Sequence, residues 1–66
     1  MNTRMEYRDS AQAFDDAIAA GKLTTDPEDE LYAGAWMYMV TINGEDQFKH
    51  IATRRYLRAL TPGFRA

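Results

Sequence analysis

His50 is the one side chain in this sequence that titrates near neutrality without help from its surroundings. Asp46 lies four residues before it and Thr53 three after, the residue types of an orienter, a base and a nucleophile. The spacing alone does not make that chemistry. No nucleophile elbow accompanies it, and a chain of 66 residues has little volume in which to enclose a reacting group and an oxyanion site. A structural or surface histidine is the simpler reading, and the chain is expected not to be an enzyme. Cys is absent, which removes thiolate nucleophiles, disulfides and thiolate metal sites together. One His would need at least two carboxylates from elsewhere to hold a metal. The four Gly residues are scattered, with neither G-x-x-x-x-G-K nor G-x-G-x-x-G among them, so no phosphate cradle and no cofactor is expected.

The second group of chemically capable residues is basic. Lys49, Arg54, Arg55 and Arg58 are interleaved with Phe48 and Tyr56. The net charge of -2 hides this concentration: residues 1–46 carry all ten acids and three bases, hence -7, and residues 47–66 carry five bases and no acid, hence +5. Three uses fit such a face. It is solvated or neutralised within the fold, it forks onto the carboxylates of a protein partner, or it meets the phosphates and bases of a nucleic acid. The sequence pI near 5.1 and the acidic remainder weigh against the last.

Those residues need elements to hold them. Asn2 to Arg8 alternates, with Thr3, Met5 and Tyr7 on one side, the pattern of a half-buried strand. Asp9 or Ser10 offers an N-cap to AQAFDDAIAAGK, whose Ala11, Phe14, Ala17 and Ile18 share a helical face with Asp15 and Asp16 opposite and Gly21 as C-cap. Thr25 or Asp26, Pro27 and the acids of DPEDE read as the start of a short helix ending at Gly34. The acidic cluster lacks the ligand alternation and central Gly of a calcium loop and is read as a solvated first turn. Trp36 to Ile42 then runs into Asn43-Gly44, the strongest two-residue hairpin signal, with Gln47 to Ile51 as the return strand. In that strand Trp36, Tyr38, Val40 and Ile42 would share one face and Met37, Met39 and Thr41 the other. Both faces would be apolar, so one must be covered by the last segment, a second copy or a partner. Met37 and Met39 are adaptable side chains that serve in cores and on binding faces alike.

Residues 52–60 admit two readings. As a strand, Arg54 and Arg58 share a face with Tyr56 and Leu60 while Arg55 shares one with Leu57; the sheet gains a member and neither face is clean. As a helix, Ala52, Thr53, Tyr56, Leu57, Ala59 and Leu60 lie on one side and Arg54, Arg55 and Arg58 on the other, and the helix fits the pattern better. Thr61, Pro62 and Gly63 end it and leave a tail with Phe64 and Arg65. A bilayer span needs about 20 apolar residues, and none is present. MNTRMEYRDS has no apolar region behind its charges, so no secretory signal is expected and the cytoplasm is the expected location.

Over residues 32–57, LYAGAWMYM followed by DQFKHIATRRYL resembles short uncharacterised reading frames of bacteriophages and prophages. The resemblance brings no activity and no site residues. It implies a small accessory protein that binds and modulates a host protein.

These readings give one α+β domain spanning residues 1–66: a small antiparallel sheet of an N-terminal strand and a β-hairpin, packed by an N-terminal helix and a C-terminal basic amphipathic helix. The expected function is a non-enzymatic protein-binding module using Met37, Met39, Lys49, Arg54, Arg55, Tyr56 and Arg58. Nucleic-acid binding and self-association to a homodimer are the alternatives.

Overall fold

The structure, a computed structural model, describes residues 3–62. Strand β1 (Met5–Glu6) leads into helix α1 (Ser10–Ala19), and β2 (Trp36–Ile42), β3 (Glu45–His50) and β4 (Tyr56–Leu60) follow. The strands form one antiparallel sheet in the order β1-β2-β3-β4. Within the alternating segment read from Asn2 to Arg8, only Met5 and Glu6 pair, opposite Ile42 and Thr41; Asn2 lies outside the described residues.

Helix α1 closes as its sequence requires. Ala20 is the C-cap, Gly21 takes φ +76°, and the amides of Gly21 and Lys22 reach back to the carbonyls of Ile18 and Ala17 at 3.0 and 2.9 Å. This is the paired closure that a left-handed glycine permits. The buried stripe runs through Ala13 and Ala17, flanked by Phe14 and Ile18, while Ala11 is exposed. Small residues on that stripe let the helix sit close to the sheet, where Phe14 meets Phe48 with ring centroids 5.1 Å apart. Leu23, Trp36, Phe48 and Ala59 complete the core.

The DPEDE segment is not helical. Asp26 and Asp29 turn their carboxylates onto the backbone, accepting from the amides of Glu28 and Leu31 at 3.0 and 2.8 Å. These local bonds compete with a helical ladder, which is why short acidic residues in succession favour turns. Two backbone bonds between Thr24 and the Leu31–Ala33 stretch tie the loop's ends together, and a single 3-10 turn at Ala33–Ala35 delivers the chain to β2.

The largest correction concerns the C-terminal segment. Residues 52–60 do not form a helix: Tyr56–Leu60 is a strand along β3, so the described chain has one helix on a four-stranded sheet and no two-helix packing. A helical pattern emerges only if the segment is read as continuous from Ala52. In fact Ile51–Arg55 is a hairpin loop, with Arg54 at φ +64° and its amide bonded to the His50 carbonyl at 2.9 Å. Counted from Tyr56, the alternation is clean: Leu57 and Ala59 face the helix side, Tyr56, Arg58 and Leu60 the other. Gly63, Phe64 and Arg65 lie outside the described residues.

Strand β2 corrects the second expectation about faces. The register steps from Tyr38 opposite Phe48 to Val40 opposite Gln47, leaving Met39 as an extra residue. A bulge of one residue reverses the phase of everything after it. Trp36 and Tyr38 therefore stay on the helix side, Thr41 joins them with no exposed surface, and Val40 and Ile42 turn to the outer face.

Candidate functional site

A polar network lies beneath the helix. Asp46 is 1% exposed, and accepts from Arg8 Nη1, from Thr41 Oγ1 at 2.6 Å and from Thr61 Oγ1 at 3.2 Å. Because an ionised carboxylate only accepts, the Thr41 hydroxyl must donate to it. The Tyr38 hydroxyl must then donate to Thr41 Oγ1, 2.5 Å away, and accept the Arg8 amide at 2.9 Å. The protons run in one direction, from Arg8 through Tyr38 and Thr41 to Asp46. Arg8 forks its other nitrogen onto Asp16, whose second oxygen accepts from Gln12 at 3.0 Å. The Arg8 hydrogen bond, and then that of Gln12, hold the Asp16 carboxyl below its ordinary pKa; the Asp16 bond raises that of Arg8. The helical pattern places Asp16 with Asp15 on the solvent side, and nothing in the sequence singles out Arg8. Every buried side-chain polar atom among the described residues has a partner, so this is a closed structural unit.

The histidine constellation is not assembled. Asp46 is committed to the network just described, while His50 Nδ1 accepts the backbone amides of Ala52 and Thr53, each at 3.1 Å. The imidazole thereby caps the loop between β3 and β4, and it stands nearly perpendicular to the Trp36 ring at a 4.9 Å centroid distance. Thr53 turns its hydroxyl inward to accept the Arg55 amide at 3.4 Å. Beside this loop is an open cavity of about 300 Å³ lined by Trp36, Leu57, Tyr56, His50, Arg55 and Glu30. It has an aromatic and aliphatic wall with a cation at its rim. No group of three or more His, Asp or Glu able to hold a metal occurs among the described residues.

On the outer face of the sheet the register sets side chains in rows: Met37, Lys49 and Tyr56; then Val40, Gln47 and Arg58; then Met5, Ile42, Glu45 and Leu60. Met37 is 45% exposed, Tyr56 57% and Leu60 59%, large apolar surfaces that no described element covers. Lys49 Nζ lies 5.8 Å from the centre of the Tyr56 ring, within cation–π range. Of the residues that sequence reading assigned to partner binding, Met37, Lys49, Tyr56 and Arg58 share this face. Met39 occupies the bulge, and Arg54 and Arg55 stand in the adjoining loop. The arginines are thus not one helical stripe. They follow β4 and its approach, and among the described residues neither they nor Lys49 form an ion pair.

The outer edge of β4 is a feature of the fold that no local sequence pattern marks. The bonds from His50 N to Arg55 O and from Thr61 N to Gly44 O, both 2.7 Å, bracket the β3–β4 ladder. In an antiparallel pair bonded and non-bonded positions alternate. Leu57 and Ala59 therefore bond β3, and the backbone N–H and C=O groups of Tyr56, Arg58 and Leu60 point away from it. No described strand takes them up. Only the order of strands reveals this, and that order depended on reading residues 56–60 as a strand.

Comparison with protein-family models, curated proteins and solved structures finds no match for this chain. Among the described residues no helix is long and apolar enough to cross a membrane.

Proposed function

We propose that this protein is a non-enzymatic protein-binding module that engages its partner along the outer face and β4 side of the sheet. The observation that carries the reading is the gathering of Lys49, Arg54, Arg55 and Arg58, without ion partners among the described residues, beside the exposed Met37, Tyr56 and Leu60. Arginine next to aromatic and Met side chains is the composition that favours protein interfaces, since the guanidinium fork meets carboxylates while the rings and thioether exclude water. The resemblance of residues 32–57 to phage reading frames directs the search for the partner to bacterial host proteins.

Immobilised protein exposed to a bacterial lysate divided into nuclease-treated and untreated halves tests the reading. A specific protein should be retained, and the combined substitution of Arg54, Arg55 and Arg58 by Ala should release it while leaving the circular dichroism spectrum intact. Retention by the triple variant overturns the assignment of this face. Recovery that vanishes with nuclease, with affinity falling on a log–log salt slope of order the number of phosphates contacted, moves the cations to nucleic acid.

A further inference from the structure

The free edge of β4 carries the argument one step further. Its outward N–H and C=O groups at Tyr56, Arg58 and Leu60 form a template for another strand, and exposed edges of this kind are commonly blunted by Pro, by bulges or by a covering element. Neither Pro nor a bulge interrupts Tyr56–Leu60, and no described strand pairs with its outer side. What the edge does carry is charge. Arg58 is its middle residue, and Arg54 and Arg55 flank one end. A second copy pairing all five residues antiparallel would set Arg58 against Arg58, so the charge opposes self-pairing and favours an acidic strand. On the helix side, Leu57 lines the 300 Å³ cavity with Trp36 and His50, where a side chain facing Leu57 from an added strand would enter.

We propose that β4 accepts an extended acidic segment of a protein partner as a fifth strand, with a carboxylate opposite Arg58 and an apolar side chain in the cavity beside Leu57. The proposal rests on the protein-binding reading and specifies its mode: main-chain bonds supply affinity, and alternate side chains supply the choice of sequence.

The test is titration of the isotope-labelled protein with a peptide of about seven residues alternating glutamate and valine, a length typical of a strand. A lysine–valine peptide serves as the control. Near saturation, amide exchange at Tyr56, Arg58 and Leu60 should slow by roughly tenfold with the acidic peptide and stay unchanged with the basic one. Arg58→Glu should reverse the preference. Leu60→Pro removes an outward donor without touching the β3 ladder and should weaken binding of the acidic peptide. Unchanged exchange at all three amides overturns the proposal, as does protection that rises with protein concentration alone, the mark of a second copy. An oligonucleotide that perturbs Arg58 where the acidic peptide does not also overturns it. If lysate capture still depends on the three arginines while these amides stay unprotected, strand addition fails and the protein-binding reading stands; arginine-independent capture overturns the assignment of this face and strand addition with it.

Discussion

Thr41 and Asp46 face each other across the β2–β3 hairpin, both buried, with the Thr41 hydroxyl donating to the Asp46 carboxylate at 2.6 Å. Arg8 closes the arrangement from the opposite side. Replacing Asp46 by Ala would leave the Arg8 guanidinium half-paired and two threonine hydroxyls without an acceptor. Breaking a buried pair from one side costs about 3–5 kcal/mol. At roughly 0.05–0.15 kcal/mol per residue, a domain of this length has about 3–10 kcal/mol in total. Asp46→Ala is therefore expected to lose a large part of the protein's stability, and Asp46→Asn, which keeps an acceptor for Thr41, to lose less. Urea titration followed by the fluorescence of Trp36, itself buried in the core, measures both. A loss below about 0.5 kcal/mol for the Ala variant, the range of ordinary surface substitutions, would show that the network is not structural.

The Asp16–Arg8 pair predicts a direction of pH dependence. The folded-state pKa of Asp16 is depressed below its ordinary 3.8, chiefly by the Arg8 hydrogen bond. A depressed carboxyl contributes stability that is fully present above its unfolded pKa and is lost as pH falls through the folded one. Stability should accordingly begin to decline near pH 4 and continue downward below it. Asp16→Asn should flatten part of that decline. Denaturant midpoints measured between pH 7 and pH 2 for the two proteins decide the matter: parallel curves would mean that the pair does not couple folding to protonation.

Arg54 offers a prediction in which stability and binding move apart. It holds φ +64° in the loop between β3 and β4, a conformation that costs a residue with a Cβ about 1–2 kcal/mol and glycine almost nothing. Arg54→Gly should raise stability by about 0.5–1 kcal/mol once the extra freedom of the unfolded chain is deducted. The same change removes a cation from the proposed interface and should weaken partner retention. A lowered denaturation midpoint would show that the loop is held by something other than the turn geometry, of which the His50 cap onto Ala52 and Thr53 is the strongest element seen.

How much of this could be read from the sequence differs between the two hairpins. Asn43 and Gly44 have φ of 51° and 80°, and a two-residue loop of that type pairs Ile42 with Glu45 and hence Thr41 with Asp46. The buried pair was thus implicit in the turn, although two polar residues beside a turn read naturally as solvated. The second hairpin turns through residues 51–54, with Arg54 and no glycine at its positive-φ position. Its loop is held instead by His50, so nothing local marks the break, and the residues on either side merge into a false helical period. Lys49, Tyr56, Arg58 and Met37 were legible as binding candidates by type. Their common face and the free edge of β4 arise from the sheet order, which is a long-range property that no window of sequence contains.

The bulge at Met39 separates what the hairpin needs from what it merely contains. Ahead of it, Trp36, Met37 and Tyr38 face His50, Lys49 and Phe48; beyond it, Val40, Thr41 and Ile42 face Gln47, Asp46 and Glu45. Opposite β3 there is no gap, so Met39 is the sole unmatched residue in the pair. Deleting Met39 would join the two halves into a regular ladder with every pair, and every inward or outward assignment, retained. Thr41 would still meet Asp46 and Val40 would still face outward. Replacing the extra residue rather than removing it leaves the count unchanged, so Met39→Ala should also fold. By contrast, a residue inserted between Val40 and Thr41 would require either a wider bulge or a slip of the hairpin. The slip would carry Thr41 away from Asp46 and turn side chains to the wrong face. The expected order of denaturation midpoints is therefore the native protein and the Met39 deletion close together and the insertion far below. The loss of local twist that a bulge supplies makes a modest decrease for the deletion the expected difference. Amide–amide nuclear Overhauser contacts between β2 and β3 in the deletion variant check the register directly. An unfolded deletion variant, or one in which Thr41 no longer lies opposite Asp46, would show that the bulge is itself required to bring the two strands together.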